Sequence, residues 1–456
     1  MLYFKSSKNS YLYINFVIIF TFISLSRLVA CFYYIDFSGD QIRDQLIFDQ
    51  MKNGVIPYLG PASSIGNYSL LPYYYYLTFV FSMLGPSLLS GQVFFNALSS
   101  SLGVFSFGYL VYRLTNNKQI GLIGTYLWCF SYSDVLLNNK SWNPSSAPFY
   151  IIAFILLLES TWKQNIIIEN NLLKLSLKSI LFWFFVSFIF IILMSLHSST
   201  MFVVGILYPI YLIAYSIKFK SFYSLIVSFI SSNLLLLPYW LGELKNNFAN
   251  TANLLVTLKN NASNLNLTDR LKNIKRLLVA INEQGYSFNF RLNLVFIILS
   301  GIGLGVIIIN KKKLNQTLLI FSLTILGFYL IIASNFTGTF YIHFWVLISY
   351  FPLLIWLLNL NLAIKSQIFW IKLVSLPLLL VIIWYFYLFG SFNQTVQYLA
   401  NKYGPNPKAN TNDYIQIINS ANNNDIICTN NNNHQAFEFL LKYRNPTNKS
   451  LLLKYC

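Results

Sequence analysis

The sequence predicts an all-α protein that threads a membrane many times, and three observations carry that prediction. Apolar runs of about 20 residues, the length a helix needs to cross hydrocarbon, recur along most of the 456-residue chain. Hydrophobic residues make up 56% of the chain and charged ones 10%. The mean hydropathy is +0.56. The net charge of +18 would suggest nucleic acid in a soluble protein, but here the Lys and Arg fall mainly in short links between apolar runs. In such links they set orientation, so no nucleic-acid partner is expected.

Taken in order, about eleven spans fall near residues 11–35, 88–112, 119–137, 147–162, 179–196, 199–217, 221–240, 292–310, 315–334, 343–363 and 370–390. Lys5 and Lys8, Arg113 and Lys118, Lys163 to Lys178, Lys218 and Lys220, Lys311 to Lys313, and Lys365 then share one side. That side is expected to be the cytoplasm, with the N-terminus in it and the C-terminal tail outside. Leu28-Val29-Ala30-Cys31 has the form of a lipoprotein cleavage box, but Arg27 interrupts the apolar stretch before it, and the segment is read as a permanent span. Residues 70–84 are apolar but short, and rich in ring hydroxyls through Tyr73-Tyr74-Tyr75-Tyr76, so they are expected to lie at the outer surface.

Residues 1–390 therefore form a transmembrane domain with a first outer loop at 36–87, carrying amphipathic helices, and a second long outer loop at 241–291. Residues 391–456 form an extracytoplasmic tail. Around its Asn-rich piece, Tyr414 to Ile418 and Phe437 to Leu441 are expected to give a small α/β cap. Cys428 and Cys456 could pair there, in an oxidising compartment.

The stretch with the strongest chemical signal is Asp36-Phe37-Ser38-Gly39-Asp40-Gln41-Ile42-Arg43-Asp44, which holds three of the 13 acidic residues. Carboxylates clustered at a membrane boundary carry a solvation cost that a fold alone does not demand. Ser38-Gly39-Asp40 reads as a helix start, with Asp40 and Asp44 four apart on one stripe and Asp36 able to fold back toward them. The plainer reading is that Asp40 caps the helix and Arg43 pairs with a neighbouring carboxylate.

Other polar residues fall at the same side of the membrane. His197 and His343, two of three histidines, and Glu243 all lie at outer helix ends, where with Asp40 they would line a polar cavity open to the outside. The second outer loop carries Lys245, Arg270, Lys272, Lys275 and Arg276 against the orientation rule. Cations there could clamp a phosphate or form a solvated helix face. No motif requires a cofactor, and a divalent metal is left open.

Gly39 to Asp44, then Pro57-Tyr58-Leu59-Gly60-Pro61, then Leu71-Pro72-Tyr73-Tyr74-Tyr75, resemble the first outer loop of GT-C glycosyltransferases. The similarity is to the protein mannosyltransferase and aminoarabinose transferase branch. Trp142-Asn143-Pro144 and the segments around His197, Glu243 and His343 extend it to residues 15–365. The resemblance implies a GT-C fold and transfer of a sugar from a polyprenyl-phosphate donor to a lipid, glycan or protein acceptor. It also implies a first-loop acid at the reaction centre, by position Asp40. Gln41 stands where many relatives have Glu, and Leu71 where the aminoarabinose branch has Lys, so transfer of aminoarabinose is not implied. A transporter or flippase of lipid-linked or anionic solutes would place ionisable groups nearer the midplane, and an envelope polysaccharide polymerase would centre its site on Arg.

Overall fold

The computed structural model describes residue 21 and residues 39–63, 65–84, 88–129, 142–163, 177–262, 265–281, 290–336, 342–366, 426–429 and 452–455. Within these the chain is helical apart from one short strand pair. Helices α1 (Gly39–Lys52) and α2 (Tyr73–Leu84) belong to the first loop. There follow α3 (Leu88–Thr115), α4 (Lys118–Cys129), α5 (Ala147–Lys163), α6 (Leu177–Leu196), α7 (Ser198–Phe219) and α8 (Phe222–Lys245). The second loop supplies α9 (Ala249–Ala262) and α10 (Leu267–Ala280). Last come α11 (Phe290–Ile309), α12 (Gln316–Ser334), α13 (Ile342–Trp345) and α14 (Phe351–Lys365).

Seven helical stretches among the described residues are long and apolar enough to cross a membrane: 91–115, 143–162, 177–196, 198–219, 222–245, 316–334 and 346–365. The chain is thus a polytopic membrane protein. On α8, Phe222, Ile226, Phe229, Ile230, Leu234 and Leu237 are all more than half exposed, an apolar face suited to lipid and not to water. The spans expected near 11–35 and 370–390 lie outside the described residues, apart from residue 21, and of 119–137 only α4 is described.

The span expected at 343–363 is broken. Helix α13 passes through a 3-10 turn (Val346–Ile348) before α14 begins, with Pro352 in its first turn. Proline has no N–H to donate and its ring crowds the carbonyl four residues back, which disfavours an unbroken helix here and suits Pro352 to the first turn of a new one. The break is buried, and the Tyr350 ring lies 6.1 Å from that of Phe107 on α3, which in turn meets Trp128 at 5.3 Å.

Helix α2 is packed into the bundle on one face. Tyr74, Tyr75, Thr78 and Ser82 are buried, and α2 packs on α3 and α6. The approach to α3 is closest at Gly91, where a Cβ would lie 1.9 Å from the Ser82 Cα, so only glycine lets the two backbones cross. In the tail, β1 (Ile426–Thr429) and β2 (Leu452–Tyr455) pair in parallel, Cys428 opposite Lys454. The segments 414–418 and 437–441 and Cys456 lie outside the described residues, and with them the expected α/β cap around those segments and the disulfide.

Side-chain contacts sort the helix ends into two sets. At one, Arg113 of α3, Glu159 of α5 and Asn315 before α12 are hydrogen-bonded together, Lys365 reaches Thr115, and Lys218 lies 4.1 Å over the Trp162 ring. At the other, the first loop touches the start of α3, the α6–α7 junction and α9. The bundle therefore has a cation-rich end and an end built around the first loop.

Candidate functional site

Helix α1 begins with Asp40 in its first turn and ends with Lys52, charges that complement the helix dipole. Its i, i+3 and i, i+1 neighbours make a branched ion pair. Arg43 donates from Nη1 to Asp40 Oδ1 at 2.9 Å, and from Nε at 3.0 Å and Nη2 at 2.8 Å to Asp44 Oδ1. The two carboxylates differ sharply in exposure, 40% for the Asp40 side chain and 0% for Asp44.

Asp44 is sealed by neighbours that only the fold supplies. Gln92 on α3 donates from Nε2 to Asp44 Oδ2 at 3.1 Å and to the Tyr74 hydroxyl at 3.0 Å. Gln45 in turn donates to Gln92 Oε1 at 3.1 Å. Burial pushes the Asp44 carboxyl up to about 6, against the pull of Arg43. Asp44 thus holds Arg43, and Arg43 holds Asp40. Among the described residues the Asp40 Oδ2 has no hydrogen-bond partner, leaving it able to accept from a ligand. Asp36, the third acid of the stretch, lies outside the described residues.

Between α1 and α2 the loop folds on itself. Gly60 N donates to Leu70 O at 2.8 Å, Leu70 N to Pro61 O at 2.9 Å, and Ser63 N to Tyr68 O at 2.8 Å, around an antiparallel bridge from Ala62 to Ser69. A Cβ on Gly60 would lie 2.0 Å from Leu71 O, which explains a glycine in the Pro57 to Pro61 motif. Contacts then tie the loop to the bundle. Ser63 and Ser198 share a hydrogen bond at 2.8 Å. The Asn250 amide takes Ser69 N at 2.6 Å and gives to Ser69 O at 3.1 Å. The Lys245 ammonium sits 4.1 Å over the Tyr58 ring.

His197 is a junction residue, 4% exposed. It is the N-cap of α7: Nδ1 accepts from Ser199 N, and Thr200 closes the capping box. Its ring stands edge-on to Phe344, 5.6 Å away. Asn143, of the Trp142-Asn143-Pro144 motif, donates to Leu196 O beside it. His343 contributes its backbone to α13; its role in the site lies outside the described residues. Glu243 is also fully buried and accepts from Thr251 N at 3.1 Å, in the first turn of α9, where the dipole favours a carboxylate.

Among the described residues no contact joins Asp40, His197 and Glu243 directly. The structure sets them at the same end of the bundle in three separate networks, the latter two buried. Of the described members of this set, Asp40 and Arg43 are the accessible ones.

Helix α10 buries Asn273, Leu277 and Ala280, and the Asn273 amide donates to Ser334 O of α12 at 2.9 Å. Lys272, Lys275 and Arg276 are exposed along one arc of that helix, while Arg270, half-buried, lies round the side. Lys272 makes an exposed pair with Asp269 at 3.3 Å. Nearby, an apolar groove of about 210 Å³ runs between α7 and α12, lined by Phe202, Ile206, Ile332 and Phe344 and closed by Ile65 of the first loop and Leu258 of α9. It starts at Ser199, beside His197. Among the described residues no three His, Cys, Asp or Glu side chains are grouped to hold a metal ion.

Sequence reasoning missed Gln45, Gln92 and Asn250, and the Glu159 cluster at the opposite end. Gln92 and Glu159 each interrupt an otherwise apolar run, and that was the available signal. Neither the protein-family models nor the curated proteins give any match to this chain.

Proposed function

We propose that the chain is a GT-C-type membrane glycosyltransferase that moves a sugar from a polyprenyl-phosphate donor to an acceptor hydroxyl at the end of the bundle built around the first loop. The observation that carries this reading is the branched ion pair of α1. A buried Asp44 carries a desolvation cost, and its effect is to fix a guanidinium that holds a second, accessible carboxylate in place. A helix cap needs no such support.

In the proposed reaction the acceptor oxygen attacks the anomeric carbon and its proton passes to Asp40 Oδ2. The anomeric carbon–oxygen bond breaks, and the electron pair leaves on the polyprenyl phosphate. That leaving group is a weak base and needs its charge neutralised more than it needs a proton. Arg270, Lys272, Lys275 and Arg276 would supply the charge, with Lys245 at the loop edge. The groove between α7 and α12 suits a segment of the lipid chain. One base and one displacement invert the anomeric configuration.

The cation-rich end is the cytoplasmic one in this proposal, and the site and tail are extracytoplasmic. A donor delivered by lipid fits that placement, because nucleotide sugars are confined to the cytoplasm. The test is transfer of labelled hexose or pentose from polyprenyl phosphate by the purified protein in proteoliposomes. Transfer with any such donor supports the proposal, and a panel of hexosyl and pentosyl donors that gives none overturns it.

A further inference from the structure

The far end of the bundle holds a cleft of about 460 Å³ that the proposed reaction does not use. Its walls are the C-terminal turn of α3, the Lys311–Lys313 turn before α12, and Lys365 at the end of α14. Arg113, Lys312, Lys313 and Lys365 line it, and among the described residues no Asp or Glu does.

The frame is fixed from behind. Glu159, 0% exposed, accepts from Arg113 Nη2 at 2.6 Å and from Asn315 Nδ2 at 2.9 Å, so each of its oxygens is engaged. Asn315 N donates to Leu114 O at 3.0 Å, joining the lysine turn to α3. Lys365 donates to Thr115 O at 2.7 Å, at a helix end where a cation is favoured. Lys312 and Lys313 are exposed and have no carboxylate partner among the described residues. Orientation in a membrane needs cations near helix ends, but it does not need them converging on one concave surface, where like charges repel.

We propose that this cleft binds a phosphate-bearing anion, taken from the headgroup of an acidic membrane lipid. Two neighbours favour the lipid as the source. Tyr109, which hydrogen-bonds Arg113 at 3.0 Å, is 46% exposed, and Ile364, beside Lys365, is 47% exposed. Both offer apolar surface to acyl chains at the level where the lysines meet headgroups. A soluble phosphate would use the cations and ignore these two residues.

The experiment uses the full chain, delipidated in a zwitterionic detergent, and measures two arms. Native mass spectrometry titrates phosphatidylglycerol against phosphatidylcholine, and calorimetry titrates inorganic pyrophosphate. Phosphatidylglycerol should be retained at least about 10-fold better than phosphatidylcholine, and K312Q/K313Q should remove that preference, while K118Q, an exposed lysine outside the cleft, should keep it. K312R/K313R, which keeps the charge, should retain binding and guards against a folding defect. Pyrophosphate binding abolished by K312Q/K313Q, without lipid preference, would keep the anion site and overturn the lipid source. Overturning the whole proposal takes either of two results: no preference in both arms, or binding that K312Q/K313Q leaves unchanged.

Discussion

Arg43 binds Asp44 through two nitrogens on a single oxygen, Nε at 3.0 Å and Nη2 at 2.8 Å, while its third contact goes to Asp40. The guanidinium is therefore oriented from its buried side. Because a planar fork has little freedom once two of its nitrogens are fixed, the direction of Nη1, and with it the position of Asp40, follows from Asp44.

Removing the buried partner should be costly. Asp44→Leu leaves the half-buried Arg43 with Asp40 as its one described carboxylate partner and should destabilise the protein by about 1–3 kcal/mol. A thermal-unfolding midpoint in detergent unchanged from the parent would contradict it.

The same carboxylate predicts a pH dependence. Its folded value, about 6, stands above the 3.8 of an ordinary aspartate, so between these the folded state binds more protons than the unfolded. Its contribution is fully present below about 4 and is lost as pH rises through about 6, a change on the order of 3 kcal/mol. Asp44→Asn does not titrate, so the stability difference between parent and variant should depend on pH across this window. A constant difference from pH 4 to pH 7 would contradict the assignment.

At the α2–α3 crossing, Gly91→Ala puts a Cβ where the Ser82 backbone stands and should cost about 1–3 kcal/mol. Parent-like stability would mean that the helices cross elsewhere.

Much of this arrangement was legible in the sequence. Apolar runs at 147–162, 179–196, 199–217 and 315–334 match α5, α6, α7 and α12 closely, because a helix in lipid must be apolar for its whole length. Asp40 and Arg43 were legible from spacing along one helix. What was not legible came from contacts across helices. Asp44 is sealed by Gln92, 48 residues away, and the Ser69 backbone by Asn250, 181 residues away. His197 and Glu243 were legible as polar residues that end apolar runs, but the cap and the helix-end contact each one makes were not.

The orientation proposed from the cations is checked by reporter fusions. Those near Lys118, Lys220 and Lys312 should report cytoplasm, and those after Asn143, Lys259 and Asn410 the outside. A cytoplasmic tail would break the alternation of spans.

The central claim is that Asp40 takes the acceptor proton, and Asp40→Asn tests it most directly by keeping shape while removing charge. The variant should insert and unfold like the parent, bind a polyprenyl-phosphate sugar, and turn over about 10²-fold or more slower. Parent-like transfer by purified Asp40→Asn protein would contradict the account.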